Sequence, residues 1–453
     1  MITYSIIKKS QLEGALRLDA EYYQPEYLNS VLKIKSQKSK PLKDFAEKVF
    51  SGPFGSTLKS ESYRTEGIPF IRIGDISDIF INKNSLVYIS PEEHKRIFST
   101  HLMPGDIVLS KIATVGRLSV ISDDLGEVNI SENNIGIRFK KLSQEEKVYL
   151  LFFLLSKYGQ SQIFQKASGN IQLKLNVVDI ENIEIPLITK KDQVYFLDLY
   201  EQIIKFREQS ESLYSQAESL LLEELGLKDF ENKEGLFSVA NLSDLKNANR
   251  MDAEYFQSKY EKLVSKIRNY RNGFDSFDNL IEVSNKKIEI NPEKEYKYIE
   301  LADVNENLGM VDNIQTIKGK ELPSRARMKL QKNDVIVSSV EGSTDKVALI
   351  DEDVKDLVGS TGFFILKEKY FKPEVNLILV KSLIIKSLLM REAQGTILTA
   401  IPSSSLRRII LPKLENNIQQ KISELVRKSH IARKKAKELL DEAKQKVEKL
   451  IEK

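Results

Sequence analysis

Cysteine is absent from the 453-residue chain, and histidine occurs three times, at His94, His101 and His430. Without thiols there is no disulfide and no thiolate ligand set, so a thiolate-held structural zinc is excluded and a reducing compartment is compatible. Three histidines scattered along the sequence offer no obvious metal or acid–base constellation. The longest apolar run is the seven residues Tyr149–Leu155, far short of the ~20 that span a bilayer. The opening Met1-Ile-Thr-Tyr-Ser5 lacks the basic-then-apolar pattern of a signal peptide. A cytoplasmic protein with no membrane partner is expected.

The catalytic signatures are missing too. Gly319-Lys320 is followed by Glu321 and lacks the upstream glycine of a phosphate loop. No Gly-x-Ser-x-Gly and no Gly-x-Gly-x-x-Gly occurs. Asn291-Pro292-Glu293-Lys294 is not the Asn/Asp-Pro-Pro-aromatic loop with which amino-methyltransferases hold a flipped base. No catalytic residue, metal ligand or cofactor site is therefore assigned to this chain.

What is present is a globular composition, 30% charged and 41% hydrophobic, long enough for two to four domains. Sixty-nine basic residues against sixty-five acidic ones leave a net charge of +4. That balance permits nucleic-acid binding without demanding it.

The chain is also repeated. Arg17-Leu-Asp-Ala-Glu-Tyr-Tyr-Gln-Pro-Glu-Tyr27 returns as Arg250-Met-Asp-Ala-Glu-Tyr-Phe-Gln-Ser-Lys-Tyr260, with seven of eleven positions identical at an offset of 233. A repeat of this length sets the fold, so it comes first. It continues collinearly. Phe70–Ile76 matches Tyr298–Val304, Leu102–Ser110 matches Leu330–Ser338, and Ile185-Pro186 matches Leu411-Pro412.

Within each copy the periodicity predicts a short strand and a helix carrying the repeated motif, with Tyr22, Tyr23 and Tyr27 in the core. Short strands broken by turn residues follow over 86–140 and 274–367. A helix is expected over 145–166 and again over 375–391. After each copy the pattern turns to long helices. Their expected apolar seam runs through Phe196, Leu199, Ile203, Phe206, Leu213 and Leu221. It recurs at Ile418, Ile422, Leu425, Leu439, Val447 and Leu450. Small residues stand at matching seam positions, Ser210 with Ala436 and Ala217 with Ala443.

The expected fold is α+β: two repeated strand-rich domains separated by an antiparallel coiled coil of two long helices, with pseudo-twofold symmetry. The expected boundaries are 1–187, a spacer helix at 188–232, 233–412, and a second spacer helix at 413–453.

Strands and loops can enter the major groove, where Arg, Lys, Asn and Gln meet base edges. Candidate DNA contacts in copy one are Ser51, Gly52, Phe54, Gly55, Ser56, Lys59, Arg64, Arg72, Lys111, Thr114, Arg117, Asn133, Asn134, Asn170, Gln172 and Lys174. In copy two they are Lys286, Lys287, Arg325, Arg327, Ser338, Ser339, Ser343, Lys346, Thr361 and Thr396. The loops diverge where the scaffold does not. Gly52-Pro-Phe-Gly-Ser56 has no counterpart in copy two, and Lys111–Arg117 faces Ser339–Asp345, which has lost both positive charges.

Gly52-Pro-Phe-Gly-Ser-Thr-Leu-Lys59, Tyr63, Gly67-Ile-Pro-Phe-Ile-Arg72 and Pro104-Gly-Asp-Ile-Val-Leu-Ser110 resemble motifs of type I restriction–modification specificity subunits. The order of recognition domain, long helix, recognition domain, long helix resembles them over the whole length. The resemblance implies a non-catalytic bacterial or archaeal subunit in which each domain reads one half of a split double-stranded DNA target. The helices would act as a ruler between the halves. Two methyltransferase subunits would bring S-adenosylmethionine chemistry, and a restriction motor–nuclease subunit would bring ATP- and Mg²⁺-dependent cleavage. Copy two departs from the pattern near Lys286. On the residues alone, a duplicated protein-interaction scaffold or decoy without DNA binding stays open.

Overall fold

The computed structural model describes all residues except 1–3, 16, 54–57, 78, 170–171, 229–237, 341 and 393–400. The chain forms two compact units, residues 1–205 with 435–453, and residues 206–434. The unit boundary falls inside both long helices, Lys190–Glu224 and Asn416–Ile451.

Copy one is built on two four-stranded sheets. The first has the order Ala46–Ser51, Asn134–Phe139, Ile107–Ser110, Leu118–Val120. The second has the order Val87–Ile89, Ile68–Ile71, Val128–Ile130, His101–Leu102. Pairing is antiparallel except between Phe70-Ile71 and Asn129-Ile130. Phe50 and Val108 from one sheet meet Ile71, Leu102, Val128 and Ile130 from the other in a buried core. A two-stranded pair, Ser39–Pro41 with Glu184–Pro186, joins the two ends of the copy.

Copy two repeats this order. Its sheets run Glu282–Ser284, Phe363–Lys367, Val335–Ser338, Val347–Leu349 and Gln315–Lys318, Glu295–Ile299, Leu357–Ser360, Ala326–Lys329. The same neighbour is parallel, Lys297–Ile299 against Leu357–Gly359. Phe274–Ser276 with Ile410–Pro412 joins its ends.

Three expectations are corrected. In copy one only the end of the repeated motif, Pro25–Tyr27, rides on a helix. The motif first forms a 3₁₀ turn, Ala20–Tyr23, and the helix starts only at Pro25, because proline suits the first helical position. Residues 4–8 form no strand. The helices expected over 145–166 and 375–391 are each two helices, Gln144–Leu155 with Lys157–Lys166 and Pro373–Lys381 with Leu383–Glu392. The break is a serine in both copies. Ser156 Oγ donates to Phe153 O at 2.7 Å and Ser382 Oγ to Leu379 O at 2.6 Å. Each hydroxyl thus competes for the carbonyls of the ending turn and then caps the next helix, accepting from Gly159 N or Ile385 N.

The long helices run antiparallel. In the first unit Tyr195 bonds Glu442 at 2.6 Å, and in the second Ser210 faces Ser429 at 3.1 Å. Phe196, Leu199, Ile203, Leu221, Ile418, Ile422, Leu439 and Val447 are buried. Phe206, Leu213, Leu425 and Leu450 are only partly so, and Tyr214, Val426 and Ile451 take the buried places. After Ser210 the buried face advances by four residues to Tyr214 before returning to Ala217, which a 3.5-residue repeat requires.

Candidate nucleic-acid interface

In copy one the ends of three strands and the segment after helix Lys157–Lys166 meet at one place. Ser51 and Gly52 close the first strand, and Gly52 N donates to Asn134 O at 3.2 Å. Lys111, just past Ile107–Ser110, donates its backbone N–H to Asn133 O at 2.9 Å. Its carbonyl accepts from Leu175 N at 3.0 Å, beside the bridge between Ile112 and Lys174. The Lys111 ammonium donates to Ser51 Oγ at 2.8 Å. Burial lowers the Lys111 pKa, the Lys174 charge lowers it further, and Glu132 opposes them. Six expected residues, Ser51, Gly52, Lys111, Asn133, Asn134 and Lys174, thus share one site, although the sequence spreads them over 124 positions.

Two are there for different reasons. Asn134 is fully buried and donates Nδ2 to Ile71 O at 2.9 Å, so it ties the two sheets together rather than facing a ligand. Gly52 is required by crowding, since a Cβ there would lie 2.1 Å from Ser131 O. Gln172 and Lys174 are exposed, as are Arg117, Lys59 and Arg64. Arg72 is turned inward, with Nε 3.3 Å from Asp75 and another nitrogen on Ser85 O. Thr114 is partly buried, and its hydroxyl has no partner among the described residues. Phe54, Gly55, Ser56 and Asn170 lie outside the described residues.

Copy two keeps the backbone frame of this site. Ser339 N donates to Gly362 O at 2.9 Å, and Ile401 N to Ser339 O at 3.0 Å, which are the Lys111 bonds repeated. The side chains differ. Ser339 Oγ donates to Gly362 O, and Ser338, fully buried, pairs with Ser343 at 2.7 Å. These three serines are therefore spent on the fold. Lys346 donates to Val304 O and pairs with Glu306 at 3.3 Å. Arg325 is exposed but paired with Glu300 at 2.6 Å, and Thr361 is exposed. Thr396 lies outside the described residues.

The exposed cations of copy two gather elsewhere. Ile288 N donates to Arg327 O, and Lys329 N donates to Lys286 O. Lys286, Lys287 and Arg327 thereby lie along one backbone pairing, joined by exposed Lys329, which sequence reasoning missed. Its signal was the alternation Arg325-Ala-Arg327-Met-Lys329, in which Ala326 and Met328 are buried and the three cations are not.

Residues 35–213 match the family described as "Type I restriction modification DNA specificity domain". The similarity to that domain family covers residues 35–213, less than half of the chain. That stretch holds every described residue of the copy-one site. Specificity subunits are the non-catalytic component of these systems. The chain is also 25% identical over 156 residues to the type I restriction enzyme EcoBI specificity subunit of Escherichia coli. That alignment spans 34% of this chain and 32% of the relative, about a third of its length. A type I restriction–modification S subunit from M. genitalium is similar with a TM-score of 0.42 and 12% identity, over 91% of this chain and 94% of that one. The HsdS subunit from Thermoanaerobacter tengcongensis gives a TM-score of 0.28 and 11% identity, over 91% and 95%.

Two histidines of this specificity domain are not scattered in space. His94 Nε2 and His101 Nε2 lie 3.6 and 3.5 Å from opposite oxygens of Glu127. Among the described residues no group of three or more acidic or histidine side chains is placed to hold a metal ion, and no helix is long and apolar enough to cross a membrane.

Proposed function

We propose that this chain reads a two-part target in double-stranded DNA, copy one taking the 5′ half and copy two the other. It also carries two methyltransferase subunits and a restriction motor–nuclease subunit. In this reading methyl transfer and cleavage, with their S-adenosylmethionine, ATP and Mg²⁺, belong to those partners.

The observation that carries the reading is the copy-one site within the matched domain. Lys111 and Lys174 put two positive charges side by side, and Ser51 holds the Lys111 ammonium in place. A half-buried ammonium with a weak neutral partner gains by donating to a guanine O6 or N7 or to a phosphate. Gln172, Asn133 and Arg117 supply further donors on the same side chains-and-loops edge, while Lys59 and Arg64 suit the phosphate backbone. Copy two supports a second, different half-site. Its frame is the same, but its charges sit at Lys286, Lys287, Arg327 and Lys329.

A mobility shift with random duplex at low and moderate salt tests this. Phosphate contacts make affinity fall steeply between about 50 and 200 mM salt. A chain that serves only as a protein scaffold gives no shift at either concentration.

A further inference from the structure

The breaks at Ser156 and Ser382 start a new helix at the same place in each copy. The fourth residue after each break is Gln160 in copy one and Lys386 in copy two, at an offset of 226. Each meets the loop between the last two strands of its copy's first sheet. The Gln160 amide donates to Gly116 O at 3.1 Å and to Leu154 O at 2.8 Å. Leu154 lies in the last turn before the break, where helix carbonyls lose their partners. One amide group thus ties the loop to both helices.

The loop is bent enough to need a tie. Ala113 lies in the left-handed region at φ 57°, and Gly116 has φ 89°. A non-glycine residue in that region persists only where its surroundings hold it. A Cβ at Gly116 would lie 2.7 Å from Gln160 Oε1 and 3.6 Å from Ile163, so the loop backbone presses against this helix. Lys111 opens the same loop and Arg117 closes it, with Ser110 N donating to Arg117 O at 2.8 Å.

Copy two ties its loop by other chemistry. The closing bond there runs from Ser338 N to Lys346 O at 2.9 Å. Leu109 pairs with Leu118 but Val337 with Val347, so this loop is one residue longer, and Asp345 stands where Gly116 stands. Lys386 donates to the Asp345 carboxylate. An amide on a backbone carbonyl has become an ion pair whose side chains are 28% and 55% exposed, open enough for salt to screen it. The tie keeps its place and changes its chemistry with the loop it touches.

We infer that Gln160 and Lys386 are positioning residues for base reading. Each fixes the loop of its own copy, and with it the side chains that the loop presents, so each sets the base preference of one half-site. This rests on the proposed function. Both act through the loop and not on DNA.

The test selects from a random duplex pool with the full chain, sequences the bound duplexes, and measures hydrogen exchange of the free chain. Wild type enriches a two-part motif. Gln160→Glu keeps the side-chain shape and removes the donor. It weakens base preference in one half by about tenfold or more and leaves the other half as in wild type. Exchange rises over 112–117 alone. Lys386→Met does the same to the other half and to 342–346, while Lys386→Arg keeps the wild-type motif. Raising salt from about 0.1 to about 1 M speeds exchange over 342–346 and not over 112–117. Unfolding curves show which variants are folded, and the partly exposed Lys386 carries the test if Gln160→Glu lowers stability. A folded Lys386→Met chain that keeps both half-motifs, or weakens both together, overturns the positioning role and leaves the proposed function standing. Unchanged exchange over 112–117 in Gln160→Glu overturns the tie itself. A wild-type chain that enriches nothing overturns the proposed function, and the positioning role with it.

Discussion

Ser429 donates its hydroxyl to the backbone carbonyl of Ser210 at 2.8 Å, and the two hydroxyl oxygens lie 3.1 Å apart. Both residues are fully buried. Two small side chains let the long helices approach closely here, and the hydroxyls satisfy each other where water is excluded. Ser210→Leu overpacks this contact and costs about 1–3 kcal/mol. Ser429→Ala removes one hydrogen bond and costs about 1 kcal/mol. Denaturant unfolding measures both, and a leucine variant as stable as wild type contradicts the close approach.

Arg17 forks onto Asp19 and Arg250 onto Asp252, which makes the repeated motif sensitive to acid. The Arg17 hydrogen bond holds the Asp19 carboxyl below the usual range, and Arg250 does the same for Asp252. A carboxylate whose folded pKa is depressed stabilises the fold above its unfolded value near 4. That contribution is lost as pH falls through the lower folded value. Hydrogen-exchange protection of residues 17–24 and 250–257 should therefore fall on acidification below about pH 4. Asp19→Asn should lower it at neutral pH in copy one alone. Protection indifferent to the substitution contradicts the clasp.

Gly52 and Gly74 make a matched pair of substitutions. A Cβ at Gly52 meets Ser131 O at 2.1 Å, whereas one at Gly74 meets nothing within 4 Å. Gly52→Ala must move the strand end that carries Ser51, and so the partner of Lys111. It should cost about 1–3 kcal/mol and weaken DNA binding, while Gly74→Ala stays within about 0.5 kcal/mol. Equal stability of the two variants contradicts the crowding.

Lys329 tests the copy-two cations. If it touches phosphate, Lys329→Ala weakens binding about evenly on all sequences and reduces the slope of log affinity against log salt by about 0.9. Loss of preference at one base pair, with the slope unchanged, would place it on a base edge instead.

The repeat made the architecture legible, because matched residues at a near-constant offset mark one fold used twice. The strand order was not legible. Nothing local to Phe70-Ile71 says that it pairs in parallel with Asn129-Ile130, some sixty residues on. The seam was legible in composition and blurred in register, since Leu213 and Tyr214 are both apolar and only packing chooses Tyr214.

The candidate site was legible where charge and glycine spacing marked loops, as at Gly52, Lys111 and Lys174. It was misread where a polar side chain is used internally. Asn134, Ser338 and Arg72 look like readers of bases in sequence and are buried or paired in the fold. His94, His101 and Glu127 were invisible as a group because a strand pairing brings them together. His101 faces Asn129 across that pairing, two residues from Glu127.

The central claim is that each copy reads its own half of the target, and Lys111 tests it most directly. Binding of Lys111→Ala should be measured on duplexes varied separately in each half, with Arg117→Ala beside it. The account predicts relaxed specificity at one position of the 5′ half, worth about 1–3 kcal/mol, with the other half read as before. Specificity lost in the second half, with the first intact, would contradict it.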